Sequence, residues 1–333
     1  MNVMNHCPST LQEGYETYSP SALRNLFNGK KVSYILPYQN FNKNDEIQEL
    51  FLENRKRISI SGVQDKLSVI LEKNKLRLTY EGEKGDYILK PIPVDLKIAS
   101  QVPANEHLTM QIASQIYGIE TAINGLVFFQ DGTPAYLTKR FDRKNKDNNW
   151  GKEDFASLAG KSSMNDGANF KYNYSYEAIG SLIRQYTGAW QIDIERYFAL
   201  VVFNYLFSNG DAHLKNFALL ETSSSDYRLS PAYDLINTRI HVDDTDFALD
   251  KGLFEDKFQS PYFKRTNHAC NTDFIEFGNR IGVKSSRIEQ LLKPFLENQA
   301  QVEVFIKRSF LSETTKKTYW QHYKTKRNHL VKS

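Results

Sequence analysis

Residues 197–207 form the longest apolar run in the chain, broken by Asn204 alone. The densest polar cluster follows almost at once: Asn209-Gly210-Asp211-Ala212-His213-Leu214-Lys215-Asn216. The run is too short to cross a bilayer, which takes roughly 20 residues. Within residues 192–208 it reads as a buried helix, apolar around most of its circumference. The polar cluster is therefore expected as a loop anchored by a buried element. A chain of 333 residues suits two lobes or two modest domains.

The pattern before this helix is different. Residues 57–90 read as β structure, with a strand at 66–71, turns at Asn74 and 81–85, and a second strand at 87–90 ended by Pro91. Residues 105–117 place Leu108, Ile112 and Ile116 at a helical period, and Gly118 closes the segment. Residues 125–130 and 135–141 predict a hairpin about Asp131-Gly132. Nearer the start, Ser19-Pro20-Ser21 looks like a helix beginning with Ser19 as its cap. The polar stretch 143–150 marks a boundary. Beyond it the chain is mainly helical, at 176–184, 192–208, 273–278 and 285–297, with short β segments at 217–220 and 227–229. The expected organisation is α+β: an N-terminal segment 1–50, a β-rich small lobe 51–143 and a helical large lobe 150–333.

Composition narrows the function classes. With 40% hydrophobic residues, 21 Phe and 19 Tyr, the chain has material for an aromatic core and does not read as disordered. Cys7 and Cys270 form neither a disulfide framework nor a metal-ligand spacing, so a reducing compartment, the cytoplasm, is expected. The first residues carry no apolar stretch, so neither a secretory signal nor a membrane partner is expected. The histidines and cysteines show no paired spacing of the kind a metal hydrolase needs. Formal net charge is only +4, but residues 305–333 hold eight Lys and Arg against Glu313 alone. Such a tail is either a solvated helix face or a contact for an acidic partner or nucleic acid.

The polar loop carries the chemistry. Phosphoryl transfer uses a carboxylate to orient the attacking hydroxyl and a nearby oxygen ligand for Mg²⁺, and kinases take both from one Asp-x4-Asn loop. Asp211 and Asn216 have that spacing. Alone it fits a polar turn with local backbone bonds equally well. Asp234, in Ala232-Tyr233-Asp234-Leu235, follows 23 residues after Asp211, where a kinase-like site places its second metal carboxylate. His213 and Lys215 are placed to face phosphates. Upstream, the candidate phosphate loop has one glycine, Gly62, and neither a G-x-G-x-x-G nor a Walker pattern.

NGDAHLKN followed by LSPAYDL resembles the HipA family of bacterial toxin kinases. Arg57-Ile58-Ser59-Ile60-Ser61-Gly62-Val63-Gln64-Asp65-Lys66 is similar to that family's phosphate loop. Tyr87-Ile88-Leu89-Lys90-Pro91 is similar to its ATP-lysine strand, Asn105-Glu106 to the start of the helix that follows, and Lys139-Arg140-Phe141-Asp142-Arg143 to its adenine hinge. The resemblance runs from about residue 55 to 236. It implies a two-lobed protein-kinase-like fold, Asp211 as catalytic base, and Asn216 and Asp234 as Mg²⁺ ligands. ATP would be held by Ser61, Gly62, Val63, Gln64, Asp65, Lys66, Lys90, Lys139, Arg140, Phe141, His213 and Lys215, with Glu106 pairing to Lys90.

The resemblance also implies that Ser59 and Ser61 are autophosphorylation sites; the plainer reading is outward-facing serines on an alternating strand. Phosphorylation there would add about −1.5 to −2 charges beside the triphosphate and weaken nucleotide binding. The short region ahead of the loop looks like the compact HipT branch. That branch implies an aminoacyl-tRNA synthetase substrate, tryptophanyl-tRNA synthetase in particular. It also implies HipS-like and HipB-like antitoxin partners, with DNA reached only through the repressor. Two other readings compete: a small-molecule kinase of the aminoglycoside or choline type, which shares the Gly-Asp-x4-Asn loop, and a catalytically silent nucleotide-binding partner of a repressor.

Overall fold

The computed structural model describes residues 4–39, 66–94 and 96–333. The chain divides into two compact units, one comprising Met1–Ile112, Ala122–Asn149 and Glu303–Lys316, the other Ala113–Thr121, Trp150–Val302 and Lys317–Ser333.

The first unit is built on a five-stranded sheet of order β2-β1-β3-β5-β4. Its strands are β1 (Leu67–Glu72), β2 (Lys75–Leu78), β3 (Tyr87–Lys90), β4 (Asn124–Phe128) and β5 (Pro134–Lys139), paired antiparallel. Side chains alternate across a strand, so each strand offers one face to each side. Leu67, Val69, Tyr87, Leu89, Ala135 and Leu137 share a core with Ala22, Leu26 and Phe27 of the helix Pro20–Phe27. Burying each large apolar side chain contributes roughly 1.5–3 kcal/mol, which ties the N-terminal segment firmly to the sheet. That helix starts as its sequence predicts: the Ser19 hydroxyl accepts the Ala22 N–H at 3.2 Å, and Pro20 opens the first turn. It stops at Asn28, in the left-handed region at φ 53°. The Tyr18 hydroxyl donates to the Leu126 carbonyl at 2.7 Å and the Tyr87 hydroxyl to the Leu26 carbonyl at 2.8 Å, so the buried phenols are satisfied.

The other face of β3 and β5 carries Lys90 and Tyr136, directly paired in register. The helix Val102–Gln115 is almost wholly buried, and several of its polar residues have local partners. Thr109 donates to the Asn105 carbonyl, Gln111 to the Asn124 side chain, and His107 Nε2 lies 2.8 Å from the Ser9 carbonyl. Residues 303–316 return to this unit, with Arg308 bound to Glu13 at 3.0 Å and the Ser312 N–H to Gln101 at 2.7 Å.

In the second unit the apolar run of the sequence forms the helix Trp190–Leu206, buried along most of its length. Around it pack Tyr176–Tyr186, Asn271–Ile281 and Ser285–Leu296. Aromatic rings dominate the contacts: Phe198 stacks on Phe277 at 6.0 Å, Phe203 on Phe207 at 4.4 Å, and Tyr197 meets Phe217 edge-on at 5.5 Å. Gly278 permits the close approach of one helix, since a Cβ there would lie 2.8 Å from Ile288 Cδ1. A small sheet, β6 (Lys152–Asp154), β7 (Ala218–Glu221) and β8 (Tyr227–Leu229), frames the polar loop. The basic tail lies in the helices Ala300–Arg308 and Glu313–Leu330, and much of its charge is used internally. Lys326 is buried against Asp246, and Arg327 binds the carbonyls of Leu296 and Glu297. Among the described residues no helix is long and apolar enough to cross a membrane.

Candidate active site

The loop after the helix Trp190–Leu206 is held by its own backbone and neighbours. Ser208 turns it in the left-handed region at φ 55°. The Asn209 side chain donates to Asn204 at 2.8 Å. The Gly210 N–H donates to the Thr238 hydroxyl at 2.8 Å, and that hydroxyl donates in turn to the Ser208 carbonyl at 3.0 Å. Gly210 is needed because a Cβ would sit 2.5 Å from Asp244 Oδ2 and 2.7 Å from the Thr245 carbonyl. Farther along, the Tyr176 hydroxyl donates to the Ala212 carbonyl at 2.8 Å and the Leu214 N–H to the Lys171 carbonyl at 3.1 Å. Bonds to Asn204, Thr238, Tyr176 and Lys171 thus hold the backbone on both sides of Asp211.

Asp211 keeps 51% of its side chain exposed, enough for an incoming group to reach it. Crowding by protein atoms nonetheless pushes its carboxyl up from the ordinary carboxylate value; the Tyr172 hydroxyl and Lys171 pull it back, and Asp234 adds to the rise. The Tyr172 hydroxyl donates to Asp211 Oδ1 at 2.8 Å, and His213 Nε2 lies 3.8 Å from the same oxygen. A carboxylate with raised affinity for a proton suits a general base. His213 itself is buried and pushed down to about 3, chiefly by loss of solvent and by Lys171. It is therefore a neutral imidazole at physiological pH and carries no positive charge.

Asn216 and Asp234 come together across 18 residues, with the amide nitrogen 3.5 Å from Asp234 Oδ2. Asn216 Oδ1 accepts the His213 N–H at 3.2 Å. Asp234 stands in the left-handed region at φ 57°, which aspartate tolerates better than bulkier residues. Asn216 Oδ1 keeps a second lone pair beyond the His213 bond, and that oxygen together with the Asp234 carboxylate would supply one cation with two ligands. No three of His, Cys, Asp and Glu gather into a metal cage among the described residues. Mg²⁺ in phosphotransfer sites is commonly held by one or two carboxylates together with phosphates and water, so the Asn216–Asp234 pair fits it. The Lys215 carbonyl accepts the Tyr233 hydroxyl at 2.9 Å, which anchors the end of the loop.

In the first unit, Lys90 Nζ lies 2.6 Å from Glu106 Oε1 and 5.3 Å from the Tyr136 ring centre. Lys139 and Arg140 use their side chains within the protein. Lys139 binds the Asn25 carbonyl and Asn28, and Arg140 forms a two-pronged pair with Asp142 at 2.9 and 2.6 Å. Their backbone N–H groups bond to the Ile123 and Asp86 carbonyls. Lys66 stands just ahead of β1, and Phe141 follows Arg140 at the end of β5. Ser59, Ser61, Gly62, Val63, Gln64 and Asp65 lie outside the described residues.

Sequence spacing did not single out Tyr172 or Asp244. Asp244 lies against Gly210, and burial pushes its carboxyl up, with the Thr238 hydroxyl opposing and Asp211 adding. A tyrosine 39 positions before Asp211, in a polar stretch without periodicity, offers no local signal; only the folded chain brings it there.

A family model described as the HipA-like C-terminal domain matches residues 58–302. A Haemophilus influenzae protein named "Putative kinase" is 28% identical over 332 residues, covering 93% of both chains. Among solved structures, HipA from the Shewanella oneidensis MR-1 toxin–antitoxin complex of HipA, HipB and operator DNA is similar at TM-score 0.60 and 20% identity. That match covers 81% of this chain and spans 63% of the Shewanella chain. The Helicobacter pylori proinflammatory kinase CtkA is similar at TM-score 0.52 and 16% identity, over 79% of this chain and 93% of CtkA. These likenesses give the fold: the α+β, kinase-like architecture expected above.

Proposed function

The chain belongs to the HipA-like C-terminal domain family, and from that premise we propose an ATP-dependent serine/threonine protein kinase, the toxin of a toxin–antitoxin system. Its relatives support a kinase in general. The observation that carries the reading at residue level is the approach of Asn216 to Asp234 in the unit that also presents Asp211. A silent nucleotide binder would have no need of an exposed, anchored base beside that pair.

In this reading Asp211 takes the proton of an acceptor serine hydroxyl as its oxygen bonds to the γ-phosphorus. The bond from that phosphorus to the bridging oxygen breaks, ADP leaves, and the proton rests on Asp211. Lys90, held by Glu106, pairs with the α- and β-phosphates. Asn216 and Asp234 hold a divalent cation, which when bound neutralises charge on the phosphate oxygens. Lys215 and the neutral edge of His213 face the transferring group.

The proposed substrate is an aminoacyl-tRNA synthetase, tryptophanyl-tRNA synthetase first, and the proposed partners are HipS-like and HipB-like antitoxins. The Shewanella structure pairs HipA with HipB on operator DNA, which supports a repressor partner. The test is incubation with MgATP and a panel of purified synthetases. Phosphoserine on a synthetase with loss of tRNA charging is expected; phosphate delivered only to aminoglycosides or choline would contradict the proposal.

A further inference from the structure

We propose that Tyr172 is a positioning residue for the catalytic base: its hydroxyl anchors Asp211 Oδ1 and thereby presents Oδ2 to the acceptor hydroxyl. The inference rests on the kinase reading and deepens it on the acceptor side of the site.

Three observations carry it. First, the contacts to the carboxylate are one-sided. The Tyr172 hydroxyl bonds to Oδ1 at 2.8 Å and His213 Nε2 approaches Oδ1 at 3.8 Å, whereas Oδ2 accepts no hydrogen bond among the described residues. An aspartate side chain anchored at one oxygen keeps the other at a fixed bearing, which matters because small misplacements of a reacting group are costly in rate.

Second, Tyr172 is itself held. Its N–H donates to the Asn169 carbonyl at 2.9 Å, and its carbonyl accepts the Asp250 N–H at 2.9 Å. The adjoining Lys171 carbonyl accepts the Leu214 N–H of the catalytic loop at 3.1 Å, so the tyrosine segment and the loop it serves are laced together. The Tyr172 ring meets His213 edge-on at 5.3 Å, and Lys171 lies 4.9 Å from its centre. A residue held at backbone and ring alike can orient a partner; a freely rotating surface tyrosine could not.

Third, the phenol remains a donor. Burial and the neighbouring Asp211 push Tyr172 well above the ordinary tyrosine value, so it keeps its proton throughout the working range.

The experiment compares wild type, Tyr172→Phe, Asp211→Asn and the double variant. It measures transfer of the labelled γ-phosphoryl group of MgATP to the chain itself and to water, beside ATP KM and melting temperature. Because the bond is to a charged acceptor, kcat in Tyr172→Phe is expected to fall about tenfold. ATP KM and melting temperature are expected to stay close to wild type. In the Asp211→Asn background the same change is expected to alter the residual rate by no more than about twofold, since the tyrosine acts through Asp211. An unchanged kcat in Tyr172→Phe overturns the inference while leaving the kinase reading intact. So does a second full loss in the double variant, or a matching loss of stability. A wild-type protein that transfers no phosphate to itself, to water or to any synthetase of the panel overturns the kinase reading, and this inference with it.

Discussion

Lys90 Nζ lies 2.6 Å from Glu106 Oε1, with 4% and 3% of the two side chains exposed. The lysine comes from the last position of β3 and the glutamate from the helix Val102–Gln115, 16 residues apart. Breaking a buried pair by removing one charge leaves the other stranded, at a cost of about 3–5 kcal/mol. Glu106→Gln should therefore lower the denaturant midpoint markedly and raise ATP KM, because Lys90 is no longer aimed. Urea unfolding and steady-state kinetics on one preparation check both effects; an unaltered midpoint would show that the pair is not closed in the folded protein.

Gly210→Ala should be disproportionately harmful for one added methyl group. The new Cβ would press on the Asp244 carboxylate and the Thr245 carbonyl, and relief would displace the peptide that precedes Asp211. Overpacking of this kind costs about 1–3 kcal/mol. Phosphotransfer should fall more than stability alone accounts for, which a comparison of kcat with thermal midpoint would reveal.

The basic tail yields a stability prediction in place of a binding one. Lys326 keeps 2% of its side chain exposed and pairs with Asp246, whose other oxygen lies 2.7 Å from His268 Nδ1. Lys326→Met should destabilise the protein by about 3–5 kcal/mol, and Lys326→Met with Asp246→Leu should recover part of that loss. Chemical denaturation of the three proteins decides the matter; equal stability of Lys326→Met and wild type would return the residue to the solvated-face reading.

His107 predicts a pH dependence. It is fully buried beside the Ser9 carbonyl, and loss of solvent pushes it down to about 4, below the 6.5 of an ordinary histidine. Between those values the unfolded chain binds a proton that the folded chain does not, so stability rises with pH. This contribution is complete above pH 6.5 and is lost as pH falls towards 4, amounting to about 3 kcal/mol at its fullest. Unfolding free energies measured from pH 7.5 to 4.5 should show the slope, and His107→Phe should flatten part of it.

Part of the candidate site's geometry was legible because its motif is local. Asp211 and Asn216 share one loop, and the buried helix before it announces itself by an apolar run that no exposed segment would carry. Short strands and caps were legible for the same reason: Ser19, Pro20 and the Asp131-Gly132 turn act through neighbours in sequence. What stayed hidden is what only distance in sequence creates. Tyr172 reaches Asp211 across 39 residues and Asp246 reaches Lys326 across 80. The return of residues 303–316 to the first unit leaves no periodic trace, because its contacts at Glu13 and Gln101 lie some two to three hundred positions away. The basic tail was legible only in part: its helices carry exposed lysines, but a count of lysines does not show that Lys326 is buried against a carboxylate.

The most direct test of phosphotransfer is peptide mass spectrometry of the purified chain before and after incubation with MgATP, with Asp211→Gln treated identically. Added phosphate on serine is expected in the wild type, with Ser59 and Ser61 inspected first, and none in the variant, although the variant still binds ATP. Phosphate gained equally by both proteins would contradict the role given to Asp211, and an unmodified, ATP-binding wild type that also leaves every synthetase untouched would contradict the kinase itself.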